Sequence, residues 1–243
     1  METTQGSLLG GRVRHAQPRA GHRTSLEPVL LAAAVPARAG CRVLEGGTGS
    51  GAALLCLAAR VPGIAGLGVE RDPEMAALAR ANAAANGFAA LEFSAADLLG
   101  GAPGGSFGHV RFDHAIANPP WHGLGTASPD VRHEAARRGA PGLIAAWARA
   151  LAGPLVHRGT LTLVLTAEAL PEGLAALAAA GCGSLAALPL WPRAGRPARL
   201  VLLRGVKGGR APFRLAPGLV LHEGNGFSPA AEAILREGAA LEI

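Results

Sequence analysis

The chain has 243 residues, of which 49% are hydrophobic, so it is long enough to bury the core of one large domain. Its net charge is +6 and its pI is about 10.8, which favours an anionic partner such as nucleic acid. The sequence contains no uninterrupted run of 18 apolar residues, so no membrane span is predicted. The N-terminus lacks the pattern of a signal peptide. The cysteines lie far apart without metal-ligand spacing, which favours a reduced, cytoplasmic setting and no metal site.

The chain begins with a polar, basic stretch and continues as an alternation of predicted strands and helices. Residues 1–25 are expected to form an extended or hairpin lead-in. A short helix is predicted over 26–34, with Ser25 as its N-cap and Pro28 in its first turn. Strands are then predicted at 42–45, 66–70, 91–95, 112–117, 160–166, 184–190 and 199–204, and helices at 51–60, 73–86, 140–152, 171–180 and 228–236.

Alternation of this kind predicts an α/β fold with a doubly wound, seven-stranded and mostly parallel sheet. The short connection at 191–198 predicts a hairpin, so the last strand should be antiparallel. We expect one domain over 1–243. It would comprise a lead-in with one helix (1–40), a Rossmann-like core (41–205) and a C-terminal extension (206–243).

The first strand runs into a glycine-rich loop. Glu45 ends the strand, and Gly47, Gly49 and Gly51 permit positive φ angles and close approach of a ligand. The helix that follows presents free N–H groups at its start. Glu70 ends the second strand about 20 residues further on, the offset expected of an acid that binds ribose hydroxyls. The pattern predicts an adenosine-containing ligand, with a tight turn that binds nothing as the alternative.

The third and fourth strands also end at polar residues. Asp97 is a candidate for contacting an adenine amino group, with a capping role as the alternative. The fourth strand ends in Asn118, Pro119, Pro120 and Trp121, and the two prolines stop the strand and hold Asn118 extended. Ligands of doubly wound sheets bind where the strand order reverses, between the first and fourth strands. The glycine loop and the proline pair should therefore flank one crevice.

Residues 118–121 have the features needed to methylate a planar amine on a ring. The Asn118 side-chain oxygen and the Pro119 carbonyl can accept both amine hydrogens, which favours a pyramidal nitrogen with an available lone pair. Trp121 can stack on the ring, so that catalysis is mainly positioning and electrostatics. Hydride transfer would need an acid that this pattern does not supply. The remaining interpretation is a simple strand-to-loop turn.

The glycine loop, Glu70, Asp97 and residues 118–121 together resemble the motifs of class I S-adenosylmethionine-dependent methyltransferases that act on amino groups. Segments near both termini resemble the bacterial tRNA1(Val) (adenine-37-N6)-methyltransferase family. These segments are 8–13, 17–18, 21–23, 29–32, 132–138, 219–223 and 227–228. Three positions depart from that family: Trp121 replaces Tyr or Phe, His22 replaces another aromatic, and Glu27 replaces Asp.

The resemblance implies a single methyltransferase domain with a Rossmann-like fold, S-adenosylmethionine as cofactor and N6-methylation of adenine in tRNA. It implies catalytic roles for Asn118, Pro119, Pro120 and Trp121. It implies cofactor contacts from Glu45, Gly47, Gly49, Gly51, Glu70, Asp97 and Asn118. The RNA and the nucleotide are left open.

Three other functions compete with this interpretation. Protein glutamine N5-methylation uses the same four-residue motif, although only about 40 residues precede the glycine loop, fewer than the helical domain of such enzymes needs. Ribosomal RNA guanine N2-methylation also uses the motif. A non-enzymatic nucleic-acid-binding module is disfavoured by the intact glycines and Glu70.

Basic residues concentrate after the proline motif and in the C-terminal part of the chain. We interpret them as a rim that contacts RNA phosphates beside the pocket, with a merely solvated face as the alternative. The candidate RNA contacts are Arg132, Arg137, Arg138, Arg193 and Arg196, and Arg199, Arg204, Lys207, Arg210 and Arg214 belong to the same C-terminal stretch.

Overall fold

The computed structural model describes residues 1–20, 24–100, 109–120 and 142–243. The candidates Trp121, Arg132, Arg137 and Arg138, together with His22, lie outside these described residues.

Strands and helices alternate through the middle of the chain, as the sequence predicts. The strands are β1 (Thr3–Leu8), β2 (Val13–Pro18), β3 (Arg42–Gly46), β4 (Ala65–Glu70), β5 (Leu91–Ala95), β6 (Phe112–Ala117), β7 (Leu155–Thr166), β8 (Cys182–Arg193), β9 (Leu200–Lys207), β10 (Arg214–Leu215), β11 (Leu219–Glu223) and β12 (Gly226–Phe227). The helices are α1 (Glu27–Ala33), α2 (Ala52–Arg60), α3 (Pro73–Ala85), α4 (Leu143–Ala152), α5 (Leu170–Ala179) and α6 (Pro229–Glu237).

The central sheet confirms the predicted doubly wound topology. Its order is β12-β11-β8-β9-β7-β6-β3-β4-β5, with β10 also paired to β8. Strands β3 and β6 are parallel neighbours, so the strand order reverses between them. Strand β9 is antiparallel to both β7 and β8, as the hairpin prediction requires. The strands β10, β11 and β12 extend the predicted seven to a 10-stranded sheet, and two of them have only 2 residues, too short for an alternating pattern.

The helix ends follow local capping chemistry. The Ser228 side chain accepts a hydrogen bond from the Ala231 N–H, so α6 begins where the sequence predicts. Gly238, in the left-handed conformation, ends this helix. The predicted cap of the first helix is wrong. The residue before α1 is Leu26, in helical conformation and without a side-chain cap, because the Ser25 hydroxyl donates to the Glu27 carboxylate.

Strands β1 and β2 form an antiparallel hairpin, which settles the conformation of the lead-in. The hairpin packs against α3 through two asparagines. The Asn86 side chain exchanges hydrogen bonds with both backbone groups of Arg14, and the Asn82 side chain does the same with Ala16. The N-terminal hairpin is therefore fixed against α3.

Each face of the sheet carries its own hydrophobic cluster. One cluster lies under α1, α2 and α6 and includes Leu30, Leu54 and Ile234. The other lies under α4 and α5 and includes Trp147 and Leu177. Burying a side chain of this size contributes about 1.5–3 kcal/mol, so both layers stabilise the sheet that positions the strand ends. Within the described ranges, no helix has the length and apolar character to cross a membrane.

Candidate functional site

A cavity of about 810 Å³ opens at the carboxyl ends of β3, β4, β5 and β6. This volume falls within the roughly 300–1,000 Å³ of typical small-molecule sites. The structure brings most of the predicted site residues into its lining: Glu45, Gly47, Gly49, Glu70, Asp97, Asn118, Pro119 and Pro120. They converge because parallel strands end at the same edge of a sheet. Gly51 is not among the lining residues.

The three glycines of the loop have positive φ for different structural reasons. A Cβ on Gly47 (φ 62°) would lie 2.7 Å from Trp147 Cη2, so this glycine allows α4 to pack beneath the loop. A Cβ on Gly51 (φ 87°) would lie 3.2 Å from the Phe93 ring, so this one allows the start of α2 to approach β5. At Gly49 (φ 56°) the nearest atom is Met75 Cε, at 3.8 Å. Only Gly49 of these three leaves room for a ligand against the backbone.

Glu70 is held by the glycine loop and by the turn that follows β4. Its Oε2 accepts a hydrogen bond from the Gly49 N–H at 3.0 Å, and its Oε1 accepts one from the Asp72 N–H at 3.0 Å. A carboxylate has about four acceptor positions, so each oxygen retains capacity toward the cavity. This geometry suits an acid that binds two vicinal hydroxyls.

Glu45 lies deeper, at the end of β3, and is only 5% exposed. The Thr48 hydroxyl donates to Glu45 Oε2 at 2.6 Å. Burial raises the pKa of Glu45 to about 8, the hydrogen bonds from Thr48 and from the Leu54 backbone oppose that rise, and the nearby Glu70 adds to it. In the folded protein, the Glu45 carboxyl therefore holds its proton more tightly than a solvated glutamate does.

Asp97 and Asn118 occupy the two sides of the cavity. Asp97 is exposed after β5, and its Oδ1 accepts a hydrogen bond from the Leu99 N–H at 2.9 Å, so the local capping role is present in the structure. Asn118 directly follows Ala117, whose strand partner is Gly46 on β3. The amide side chain therefore lies beside the glycine loop, with Pro119 buried behind it.

Sequence reasoning missed the contribution of the N-terminal hairpin. His15 Nε2 lies 2.9 Å from Ser50 Oγ, and the Asn82 side-chain N–H donates to the Ser50 carbonyl at 3.0 Å. All three side chains are buried, and burial lowers the pKa of His15. We call His15, Ser50 and Asn82 the hairpin anchor. A buried asparagine on the alanine-rich helix α3 was the available signal, but its partners could not be read from spacing.

The structure divides the C-terminal basic residues into two groups. The Arg204 guanidinium donates to the carbonyls of Ala34 and Ile243, and Lys207 Nζ donates to the Ala180 carbonyl at 2.9 Å. Because these donors bind backbone carbonyls within the fold, Arg204 and Lys207 are less available to a phosphate than the exposed arginines of the same stretch. Arg193 and Arg196 are exposed. The part of the chain described here contains no group of three or more His, Cys, Asp or Glu residues able to hold a metal ion.

Comparison with known proteins shows what the part of the chain that carries this site is similar to. Residues 27–145 match the family model described as Methyltransferase small domain. A tRNA1(Val) (adenine(37)-N6)-methyltransferase of Porphyromonas gingivalis is 38% identical over 95 residues, which are 39% of this chain and 37% of that protein. A release factor glutamine methyltransferase of Deinococcus radiodurans is 36% identical over 148 residues, 58% of this chain and 51% of that protein. The chain thus spans between a third and about half of these curated relatives.

Solved structures share the architecture of most of the chain. A protein of Agrobacterium tumefaciens, described as a predicted O-methyltransferase, superimposes with a TM-score of 0.74 at 28% identity and covers 89% of this chain and 98% of its own. A Thermus thermophilus 16S rRNA N2 G1207 methyltransferase, solved with AdoMet and guanosine, has the same fold, with a TM-score of 0.57 at 22% identity over 85% of this chain and 50% of its own.

The fold, the glycine loop and the family match define a class I methyltransferase whose cofactor is S-adenosylmethionine. Within that class, residues 27–145 are similar to the family of the methyltransferase small domain.

Proposed function

We propose that this enzyme transfers the methyl group to an exocyclic amino group of a nucleobase in RNA, with N6 of adenine in tRNA as the first substrate to test. The observation that carries the proposal is the position of Asn118. It stands at the carboxyl end of β6, beside the glycine loop and in front of two prolines, in the lining of the cavity. The named activity of the Porphyromonas relative supports the choice of RNA and of adenine.

The residues present fit the cofactor. The open space at Gly49 admits the methionine part against the backbone, and the Glu70 carboxylate can accept hydrogen bonds from both ribose hydroxyls. Asp97, with the neighbouring Leu98 and Leu99, lines the side of the cavity where the adenine would lie. Gly47 and Gly51 act indirectly, by letting α4 and β5 pack against the loop. The bound cofactor supplies an electrophilic methyl group on a sulfonium centre.

Asn118 acts by orientation rather than by acid–base chemistry. The amino group of adenine is planar because its lone pair is delocalised into the ring. Acceptance of its two N–H bonds by the Asn118 side-chain oxygen and the Pro119 carbonyl favours a pyramidal nitrogen whose lone pair points toward the cofactor. The buried Pro119 restricts the backbone that carries both acceptors, which reduces the reorganisation needed during transfer. Trp121 is proposed to stack on the base.

A glutamine side-chain amide is the second candidate substrate, because it too carries a planar NH₂ group. The observation in its favour is the Deinococcus relative, whose alignment covers 58% of this chain against 39% for the tRNA relative. An amide offers the same two hydrogens to Asn118 and Pro119 but has no ring face for Trp121. The two candidates therefore differ in what they require of the aromatic position.

The test is a methylation assay with isotopically labelled S-adenosylmethionine on three substrates in parallel: unmodified tRNA transcripts, ribosomal RNA and a release factor. Digestion to nucleosides or peptides followed by mass spectrometry identifies the methylated atom. The proposal predicts labelled N6-methyladenosine from tRNA, lost in the Asn118→Ala variant. Label found only on a glutamine amide or on a hydroxyl oxygen would contradict the proposal and would identify the actual substrate group.

A further inference from the structure

Two turns lie next to each other at the same edge of the sheet as Asn118. Strand β8 is parallel to β11, and β9 is antiparallel to β7 with Thr166 paired to Leu200. The β8–β9 turn and the β11–β12 turn are therefore both at the edge where β6 ends. We call residues 193–199 and 223–226 together the arginine projection.

Hydrogen bonds hold the projection together. Arg193 Nη1 donates to the Gly224 carbonyl at 2.7 Å, which joins the two turns. Within the first turn the Arg196 N–H donates to the Arg193 carbonyl at 3.1 Å, and the Arg199 carbonyl accepts from the Ala167 N–H at 2.9 Å, just after β7. The turn is thus tied on one side to β11–β12 and on the other to the strand beside β6.

The projection exposes three arginines. Arg193, Arg196 and Arg199 are all exposed, while Glu223 and Glu168 are the exposed acids beside them. One nitrogen of the Arg193 guanidinium donates a hydrogen bond to the Gly224 carbonyl. Arg196 and Arg199 form no ion pair with any described residue. Their guanidinium groups are available for a phosphate, which an arginine can bind through two hydrogen bonds.

The position of the projection fits the path of a substrate. Glu70 and Asp97 put the adenosine part of the cofactor over β4 and β5, on one side of Asn118. The side of Asn118 left to a substrate is then the side of β7, β9 and β8. Strands are about 4.8 Å apart, so the β8–β9 turn, which carries Arg196 and Arg199, lies roughly 10–15 Å to the side of Asn118. A nucleotide with its base at Asn118 would carry its neighbours across this edge.

We propose that the RNA backbone crosses the arginine projection and that Arg196 and Arg199 bind its phosphates. This inference rests on the proposed function, since it assumes that the substrate is RNA. It assigns the contact to one side of the cavity and to one pair of side chains, and it excludes Arg204 and Lys207, whose donors are bound inside the fold.

The opposite edge of the sheet provides a matched control. Arg38 and Arg111 are also exposed, but they precede β3 and β6 and so lie at the far ends of these strands from Asn118. Both R196E/R199E and R38E/R111E replace two arginines by two glutamates, which lowers the net charge by four, from +6 to +2. A general electrostatic effect would weaken RNA binding equally in both variants, whereas a local contact would not.

The experiment measures the Kd of an unmodified tRNA transcript across a salt series, the KM for that RNA, and the Kd of S-adenosylmethionine by calorimetry. We expect R196E/R199E to raise both RNA constants at least 10-fold and to lower the slope of log K against log salt by roughly 1.5. R38E/R111E should change RNA binding less than threefold, and cofactor affinity should stay constant in both. If the two variants behave alike while the unaltered enzyme methylates RNA, the assignment of RNA binding to the arginine projection is wrong. If the unaltered enzyme methylates no RNA, the proposed function fails as well.

Discussion

His15 Nε2 and Ser50 Oγ lie 2.9 Å apart, so the N-terminal hairpin contacts the glycine loop directly. Asn82 completes the contact, since its side chain bonds both the Ser50 carbonyl and the backbone of Ala16. The hairpin also continues into the cavity lining through Pro18. The conformation of the cofactor loop therefore depends on a segment that is distant from it in sequence.

Removal of the hairpin anchor should weaken cofactor binding. Asn82→Ala leaves the buried Ser50 carbonyl and both backbone groups of Ala16 without a partner, which costs about 1–3 kcal/mol for each unsatisfied group. We expect the Kd of S-adenosylmethionine, measured by calorimetry, to rise about 10-fold. Asn86→Ala is the control, because Asn86 bonds the hairpin at Arg14 without touching the glycine loop. An equal loss of affinity in both variants would show that the anchor acts only through general stability.

Substitutions at two loop glycines should separate stability from binding. Gly47→Ala places a Cβ 2.7 Å from Trp147 and should lower the Tm, since neither the ring nor the loop can move freely. Gly49→Ala meets no protein atom closer than 3.8 Å and should lower the Tm less, but should weaken S-adenosylmethionine binding more. Thermal unfolding and calorimetry on both variants measure the change in Tm and the change in S-adenosylmethionine affinity separately. The opposite ranking would mean that Gly49 does not face the cofactor.

Glu70 should matter for cofactor binding. Charge-assisted hydrogen bonds contribute roughly 1.5–3 kcal/mol, so Glu70→Ala should weaken S-adenosylmethionine binding by about that amount. Adenosine competition provides a sharper measurement, because the ribose carries the two hydroxyls while the methionine part is absent. Adenosine should lose affinity to the same extent as the cofactor. A loss seen with the cofactor alone would assign Glu70 to another part of the molecule.

Glu45 should make the stability of the ligand-free enzyme depend on pH. Its pKa is about 8 in the folded protein and about 4.5 in its ordinary state, so the folded protein binds the proton more tightly than the unfolded chain. The contribution is complete below about pH 4.5 and declines as pH rises through about 8. Urea unfolding between pH 5 and pH 9 should show this decline, and Glu45→Gln should reduce it, because glutamine stays neutral. An identical pH profile in the variant would contradict the assignment.

Much of the site follows from sequence because strand ends and topology are encoded locally. Glu45, Glu70 and Asn118 each end an apolar strand, and the rule for doubly wound sheets places the first and fourth strands side by side. Their convergence in one cavity required no knowledge of side-chain packing. The same reasoning explains why the antiparallel strand β9 could be predicted from a short connection.

The features that sequence reasoning missed depend on contacts between distant segments. Nothing in the spacing connects His15 to Ser50, or Trp147 to Gly47. Arginines that look equivalent in sequence become different only once Arg204 is seen to reach the Ala34 carbonyl while Arg196 faces solvent. The predicted start of β7 came five residues late, because His157, Arg158 and Gly159 interrupt the apolar alternation. In each case tertiary packing decides a question that local sequence leaves open.

The central claim is that Asn118 orients an amino nitrogen of an RNA base for methylation. An acceptor that acts mainly on the pyramidal nitrogen affects the rate of transfer more than substrate affinity. The most direct measurement is therefore the single-turnover rate of methyl transfer to tRNA by Asn118→Ala at saturating cofactor, over a range of RNA concentrations. We predict a loss of about 100-fold or more in the maximal rate, with the Kd of both S-adenosylmethionine and RNA nearly unchanged. A variant that folds, binds both and methylates at the full rate would contradict the account.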